Sequence, residues 1–149
     1  MEYEGTATIP ARREAVWDPI TDPGVLTACV MGAEEIERVS DTHYEGVIRQ
    51  ELAGATVSLA GEVTVEERDP PERLRFTGAG TDDRTNSHME ADAAVRLTDE
   101  GATTTLSYDV EVTFAGKLAT LGARVLRRQV RANVRTYFDN LAEHVGETA

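Results

Sequence analysis

The chain has one cysteine, one lysine, few aromatics and no long apolar run, and each shortage excludes something. Cys29 alone cannot close an internal disulfide and offers no paired-cysteine zinc site, so neither a disulfide-stapled scaffold nor a cysteine metal centre is available. Lysine occurs only at Lys117, and 15 basic residues face 27 acidic ones for a formal charge of −12. That balance argues against nucleic acid as a partner, because a phosphate backbone demands a basic footprint. No apolar stretch approaches the ~18 residues of a membrane span, no lipidation motif is present, and Met1-Glu2-Tyr3-Glu4 lacks the basic and apolar regions of a secretory signal. Abundant threonine and acid with almost no lysine lead us to expect a halophilic, strongly hydrated surface, the alternative being an ordinary acidic protein from a GC-rich genome. The expectation is a cytoplasmic protein, with at most peripheral contact at the inner face of the membrane.

Motifs for common chemistries are missing as well. His43, His88 and His144 lie far apart and form no metal-binding pair; His88-Met89-Glu90 matches only the first half of a zinc deaminase signature. There is no nucleophile elbow, and Cys29 has no basic neighbour in sequence to lower its pKa. Glu34-Glu35 and Asp82-Asp83 are adjacent, so on a strand each pair points opposite ways and makes no acid/base couple. Gly78-Ala79-Gly80 lacks the lysine or following helix that holds a phosphate. No catalytic residue, metal or cofactor is expected.

What is present fits one domain, residues 1–149, of 16.2 kDa. Tyr3, Gly5, Ala7 and Ile9 alternate with polar residues as a half-buried strand ending at Pro10. Arg12 to Ile20 has helical spacing, and Thr21-Asp22-Pro23 opens a second short helix through Ala28. Between about Glu34 and Phe114, turn signals such as Ser40-Asp41-Thr42 and Asp69-Pro70-Pro71 separate six strands. Gly116 to about Val145 then reads as one helix of roughly 40 Å. The predicted class is α+β: a seven-stranded curved antiparallel sheet around one long C-terminal helix, with two short helices between strands 1 and 2.

A single helix fills a concave sheet poorly, and Gly5, Gly46, Gly61, Gly78, Gly80, Ala91 and Ala93 are small at inward positions. A cavity between sheet and helix follows, suited to an apolar small molecule. Its predicted lining is Tyr44, Ile48, Leu59, Phe76, Met89, Val95, Tyr108, Val110, Leu121 and Val125, with Cys29 and Met31 near the mouth. Methionine suits such a wall because its thioether adapts to irregular ligands. Arg124, Arg128, Arg131 and Arg135 recur on one side of the last helix, a basic stripe that would meet acidic lipid or an acidic partner, or simply face solvent.

Several segments together are familiar: Ile9-Pro10-Ala11, Val16-Trp17, Asp22-Pro23-Gly24-Val25-Leu26 with Cys29 and Gly32, Asp69-Pro70-Pro71-Glu72, Val95-Arg96-Leu97-Thr98, and Gly116-Lys117-Leu118-Ala119-Thr120-Leu121-Gly122. Over nearly the whole chain they resemble the family of carbon monoxide dehydrogenase G subunits, of the START-like (SRPBCC) superfamily. The resemblance implies a helix-grip fold and a non-catalytic carrier of a hydrophobic molecule, a lipid or quinone. It also implies a molybdenum-containing dehydrogenase and its membrane recruitment as the setting. Met31 stands where the family usually has proline, and Asn86-Ser87-His88-Met89-Glu90 replaces a glycine-rich approach to strand 6, so the rim differs. The chain ends soon after the long helix, so anchoring by a tail is not expected. The alternatives are a cyclase- or hydratase-type enzyme using the same cavity, which needs a titratable group inside, and an assembly factor that takes no ligand.

Overall fold

A computed structural model describes residues 1–52 and 54–148, excluding the side chains of Leu52, Ala55 and residues 146–148. The order is β1 (Glu2–Ile9), α1 (Arg13–Thr21), α2 (Pro23–Cys29), β2 (Ala33–Arg38), β3 (His43–Leu52), β4 (Ala55–Asp69), β5 (Arg73–Asp82), β6 (Ser87–Asp99), β7 (Thr104–Gly116) and α3 (Ala123–Thr148). All seven strands form one antiparallel sheet in the order β1-β7-β6-β5-β4-β3-β2. The sheet is a meander from β2 to β7, with β1 returning to pair on β7.

Local chemistry sets the boundaries. Pro10 ends β1, and Asp22 caps α2 by accepting from the amides of Gly24 at 2.8 Å and Val25 at 3.1 Å, with Pro23 in the first turn where its missing N–H costs nothing. Register follows the alternation of side chains: Gly5 pairs with Tyr108, Ile48 with Leu59, and Val95 with Tyr108. A bulge between Val65 and Glu67 shifts register only at the far end of β4, so the inward and outward assignments of the earlier residues stand.

The expectation of one continuous helix from Gly116 is corrected. Lys117–Leu121 is a separate 3-10 turn, and Gly122 at φ 88° breaks the chain before α3 starts. A residue with a Cβ rarely adopts that conformation, so the glycine supplies the joint that aims α3 across the sheet. At ~1.5 Å per residue, the 26 residues of α3 span about 39 Å.

The interior is uneven. At one end, Ile9, Val16, Trp17, Leu97, Leu106, Leu141 and Val145 pack together where α1 and the last turns of α3 close over β1, β6 and β7. At the other end, Val57, Leu59, Leu118 and Leu126 form a smaller cluster joined by Met89, Phe114 and Leu121. Ile48, Val63, Val110, Val130 and Val134 belong to neither cluster and are only half-buried.

Candidate functional site

The site is the seam between α3 and the concave face. Inward positions of the middle strands carry Gly61, Gly78, Ala91 and Ala93, which leave the helix without tall partners there. On the β1 side a cleft of about 520 Å³ opens, with Tyr3, Ala7, Tyr108, Val134 and Phe138 among its lining and Glu2, Glu4, Arg131, Arg135 and Asp139 around them. Tyr108 stacks on Phe138 with ring centroids 5.1 Å apart. Small inward residues do not all mark empty space: a Cβ on Gly5 would meet the Tyr108 hydroxyl at 2.5 Å, so that glycine is covered by a tyrosine ring.

The opposite seam, between β3 and α3, is closed by polar groups. Gln50 is buried, and its Oε1 accepts from Gln129 Nε2 at 3.1 Å and from Asn133 Nδ2 at 3.2 Å. Gln129 Nε2 also donates to Asn133 Oδ1 at 3.0 Å, and Gln50 Nε2 donates to the Met31 carbonyl at 2.7 Å. A reading that follows only apolar positions passes over this triad. Its signal in the sequence is nonetheless present: Gln50 continues the inward set Tyr44, Gly46, Ile48, and Gln129 and Asn133 are four apart on the same helix face.

The predicted lining residues are distributed rather than converged on one wall. Phe76, Val95 and Tyr108 pack against the larger cluster, and Leu59, Met89 and Leu121 belong to the smaller one. Ile48, Val110 and Val125 remain half-buried in the less tightly packed part of the helix–sheet interior. Tyr44 is buried, and its hydroxyl donates to the Thr21 carbonyl at 2.7 Å, tying β3 to the end of α1. Met31 is 38% exposed. Cys29 is not at the mouth: it is buried beneath α3, where Asn140 Nδ2 donates to its carbonyl at 3.0 Å. The correction arises because α2 packs against α3 and turns its last residue inward.

Burial pushes the Cys29 thiol up, and burial foremost, with the nearby Cys29, pushes the Tyr137 phenol up. Tyr3 is also raised, chiefly by burial, against the opposing pull of Arg127 and Arg131. Asp92, Asp109 and Glu111 are exposed on the convex face. Asp82 is buried at the end of β5, where the Ser58 amide foremost holds its carboxyl below the usual range; it accepts from that amide at 2.9 Å and from Arg84 N at 3.0 Å.

Two outer features complete the site's surroundings. On the convex face His43 Nε2 lies 3.3 Å from Glu62 and 3.7 Å from Glu45, an exposed cluster that brings one potential ligand atom from each residue within 4.8 Å of the others. Sequence spacing does not reveal it, because cross-strand pairing unites β3 with β4. On α3, Arg124, Arg128, Arg131 and Arg135 are all exposed, and Arg127, which the stripe read from sequence omits, joins them. No helix among the described residues is long and apolar enough to cross a membrane.

A long helix gripped by an antiparallel sheet, with two short helices plugging one end, defines a START-like domain. Residues 5–146 match the family described as the G subunit of carbon monoxide dehydrogenase (CoxG), and the chain belongs to that family. Solved structures agree in fold. A conserved protein from Geobacillus kaustophilus superposes at TM-score 0.91 with 20% identity, over 99% of this chain and 97% of that one. A START superfamily protein from Mycobacterium smegmatis gives 0.77 and 11%, over 99% of both chains. An aromatase/cyclase from a Streptomyces species gives 0.68 and 15%, over 98% of this chain and 93% of that one. No curated protein matches in sequence.

Proposed function

We propose that the protein is a non-catalytic carrier that binds an uncharged hydrophobic molecule, a lipid or quinone, between α3 and the sheet. The observation that carries this reading is the divided interior. Ile48, Val63, Val110, Val130 and Val134 stay half-buried between two packed clusters, although close-packing is the rule for aliphatic side chains under a helix. A ligand lying there would remove that apolar surface from water, a gain of ~25 cal/mol per Å². Membership of the CoxG family supports the reading and suggests a molybdenum-containing dehydrogenase as the partner. In this proposal the dehydrogenase, or an anionic membrane surface, meets the arginine ridge of α3, where direct contacts rather than long-range attraction do the binding in a saline cell. The cytoplasm is the proposed location, and the acidic convex face the salt-adapted surface.

The test is native mass spectrometry of protein purified from its own host in volatile high salt, followed by solvent extraction. A stoichiometric isoprenoid quinone or lipid is the expected result. A clean apo mass, together with failure of purified protein to take up decylubiquinone or diphenylhexatriene, overturns the carrier reading.

A further inference from the structure

If the carrier reading holds, on which this inference rests, the amide triad is placed to meet one part of the ligand. Gln50, Gln129 and Asn133 are neutral, and they sit where β3 faces α3, a position that aliphatic side chains would ordinarily fill. Gln50 is buried while Gln129 and Asn133 are half-buried, and burying an amide is costly unless it is satisfied, whereas an apolar replacement of similar shape would be near neutral for stability. Their mutual bonds use both lone pairs of Gln50 Oε1 and both hydrogens of Gln129 Nε2. Capacity is left over: one hydrogen each on Gln50 Nε2 and Asn133 Nδ2, and, among the described residues, an unpartnered acceptor at Gln129 Oε1. Both donor and acceptor capacity therefore remains within one group of contacting side chains. The triad is also bonded to the Met31 carbonyl, beside the half-exposed Met31 side chain, so it connects β3, α3 and the α2–β2 loop.

We propose that this triad is the polar-head subsite of the cavity, taking the carbonyl or hydroxyl head of an uncharged amphiphile whose apolar body lies against the half-buried Ile48, Val63, Val130 and Val134. A carboxylate head would find three neutral amides and no cation among them, so the subsite rejects charged lipids. The triad thus sets head-group specificity, while the half-buried aliphatic side chains receive the body.

The experiment compares three ligands on the intact chain: decylubiquinone, which has a carbonyl head; dodecanol, which has a hydroxyl; and dodecanoate, which is charged. Diphenylhexatriene, a hydrocarbon without a head, reports the apolar space alone. Gln129→Leu with Asn133→Leu is expected to weaken decylubiquinone or dodecanol at least tenfold while moving diphenylhexatriene less than threefold, and wild type is expected to bind dodecanoate at least tenfold less tightly than the better neutral ligand. A readout on unmutated protein guards against misfolding of the variant: the side-chain amide nitrogen–hydrogen resonances of Gln50, Gln129 and Asn133 should shift when the neutral ligand is added. If wild type binds diphenylhexatriene and the neutral ligands but the amide resonances stay fixed, or the variant binds all of them normally, the subsite is overturned while the carrier reading stands. Dodecanoate binding as tightly as the neutral ligands also overturns it. If wild type binds none of the probes, both proposals fall.

Discussion

Val16 and Leu141 at one end of the interior are sealed from water, whereas Val63 and Val110 nearer the middle are only half-buried, although all four are aliphatic. The difference lies in their neighbours. At the sealed end α1 adds Trp17 and Ile20 to the side chains of α3, and tall residues such as Leu97 and Leu106 rise from the sheet to meet them. In the middle the sheet contributes Gly61, Gly78 and Ala91, which lack the height to meet α3. Hydrophobicity alone therefore does not decide burial here; the size of the facing residue does.

Truncation at the sealed end should have the largest effect. Leu141→Ala removes a fully buried side chain from the larger cluster and is expected to destabilise the fold by about 3 kcal/mol, read as a lower urea midpoint with unchanged slope. A loss under about 1 kcal/mol would show that this end is as loosely filled as the middle. Enlargement in the middle should act oppositely. Val110→Trp is expected to change stability by less than about 1 kcal/mol, against the 1–3 kcal/mol typical of overpacking a filled core, while weakening diphenylhexatriene at least tenfold. A large destabilisation would mean that the middle is already full.

The end that holds the smaller cluster is tied partly by polar contacts, and Asp82 sharpens the contrast with the larger one. Because its folded pKa lies below its unfolded value, its contribution is complete above the ordinary carboxylate pKa of about 4 and is lost as pH falls through the folded value. Asp82→Asn is expected to lower stability at neutral pH and to flatten the acid limb of a stability–pH curve, measured by urea unfolding between pH 7 and 2. An unchanged limb would mean that this carboxylate is not held by the Ser58 and Arg84 amides in solution. The smallest effect is expected at Gly78, where an added Cβ would meet its nearest neighbours, the Glu62 carbonyl and Val63 Cγ2, at an ordinary 3.4 Å. Gly78→Ala should leave stability within about 0.5 kcal/mol, because relief of glycine's chain entropy offsets a tighter fit.

Much of this architecture was legible in the chain. The alternation in Val57, Leu59, Gly61, Val63 and Val65 assigned the inner face of β4, and the Asp22-Pro23 pair located α2 to within a residue. The helix joint at Gly122 was not legible as a break, since a lone glycine is tolerated within many helices and only its positive φ reveals the turn. In the site, sequence parity placed Tyr108 and Val110 on the inner face, but it could not tell that Tyr108 covers Gly5 or that Tyr44 spends its hydroxyl on Thr21.

The order of elements and the face each residue takes follow from the chain alone, because periods of two and 3.6 are local properties of the backbone. Which inward residues became core and which remained half-buried was a matter of packing between distant segments. That packing also joined Gln50 to Gln129 and Asn133, and His43 to Glu62. Those outcomes depend on the distance between a helix and a strand many residues apart, and that distance is set by how large side chains at the two ends of α3 prop it over the smaller residues between.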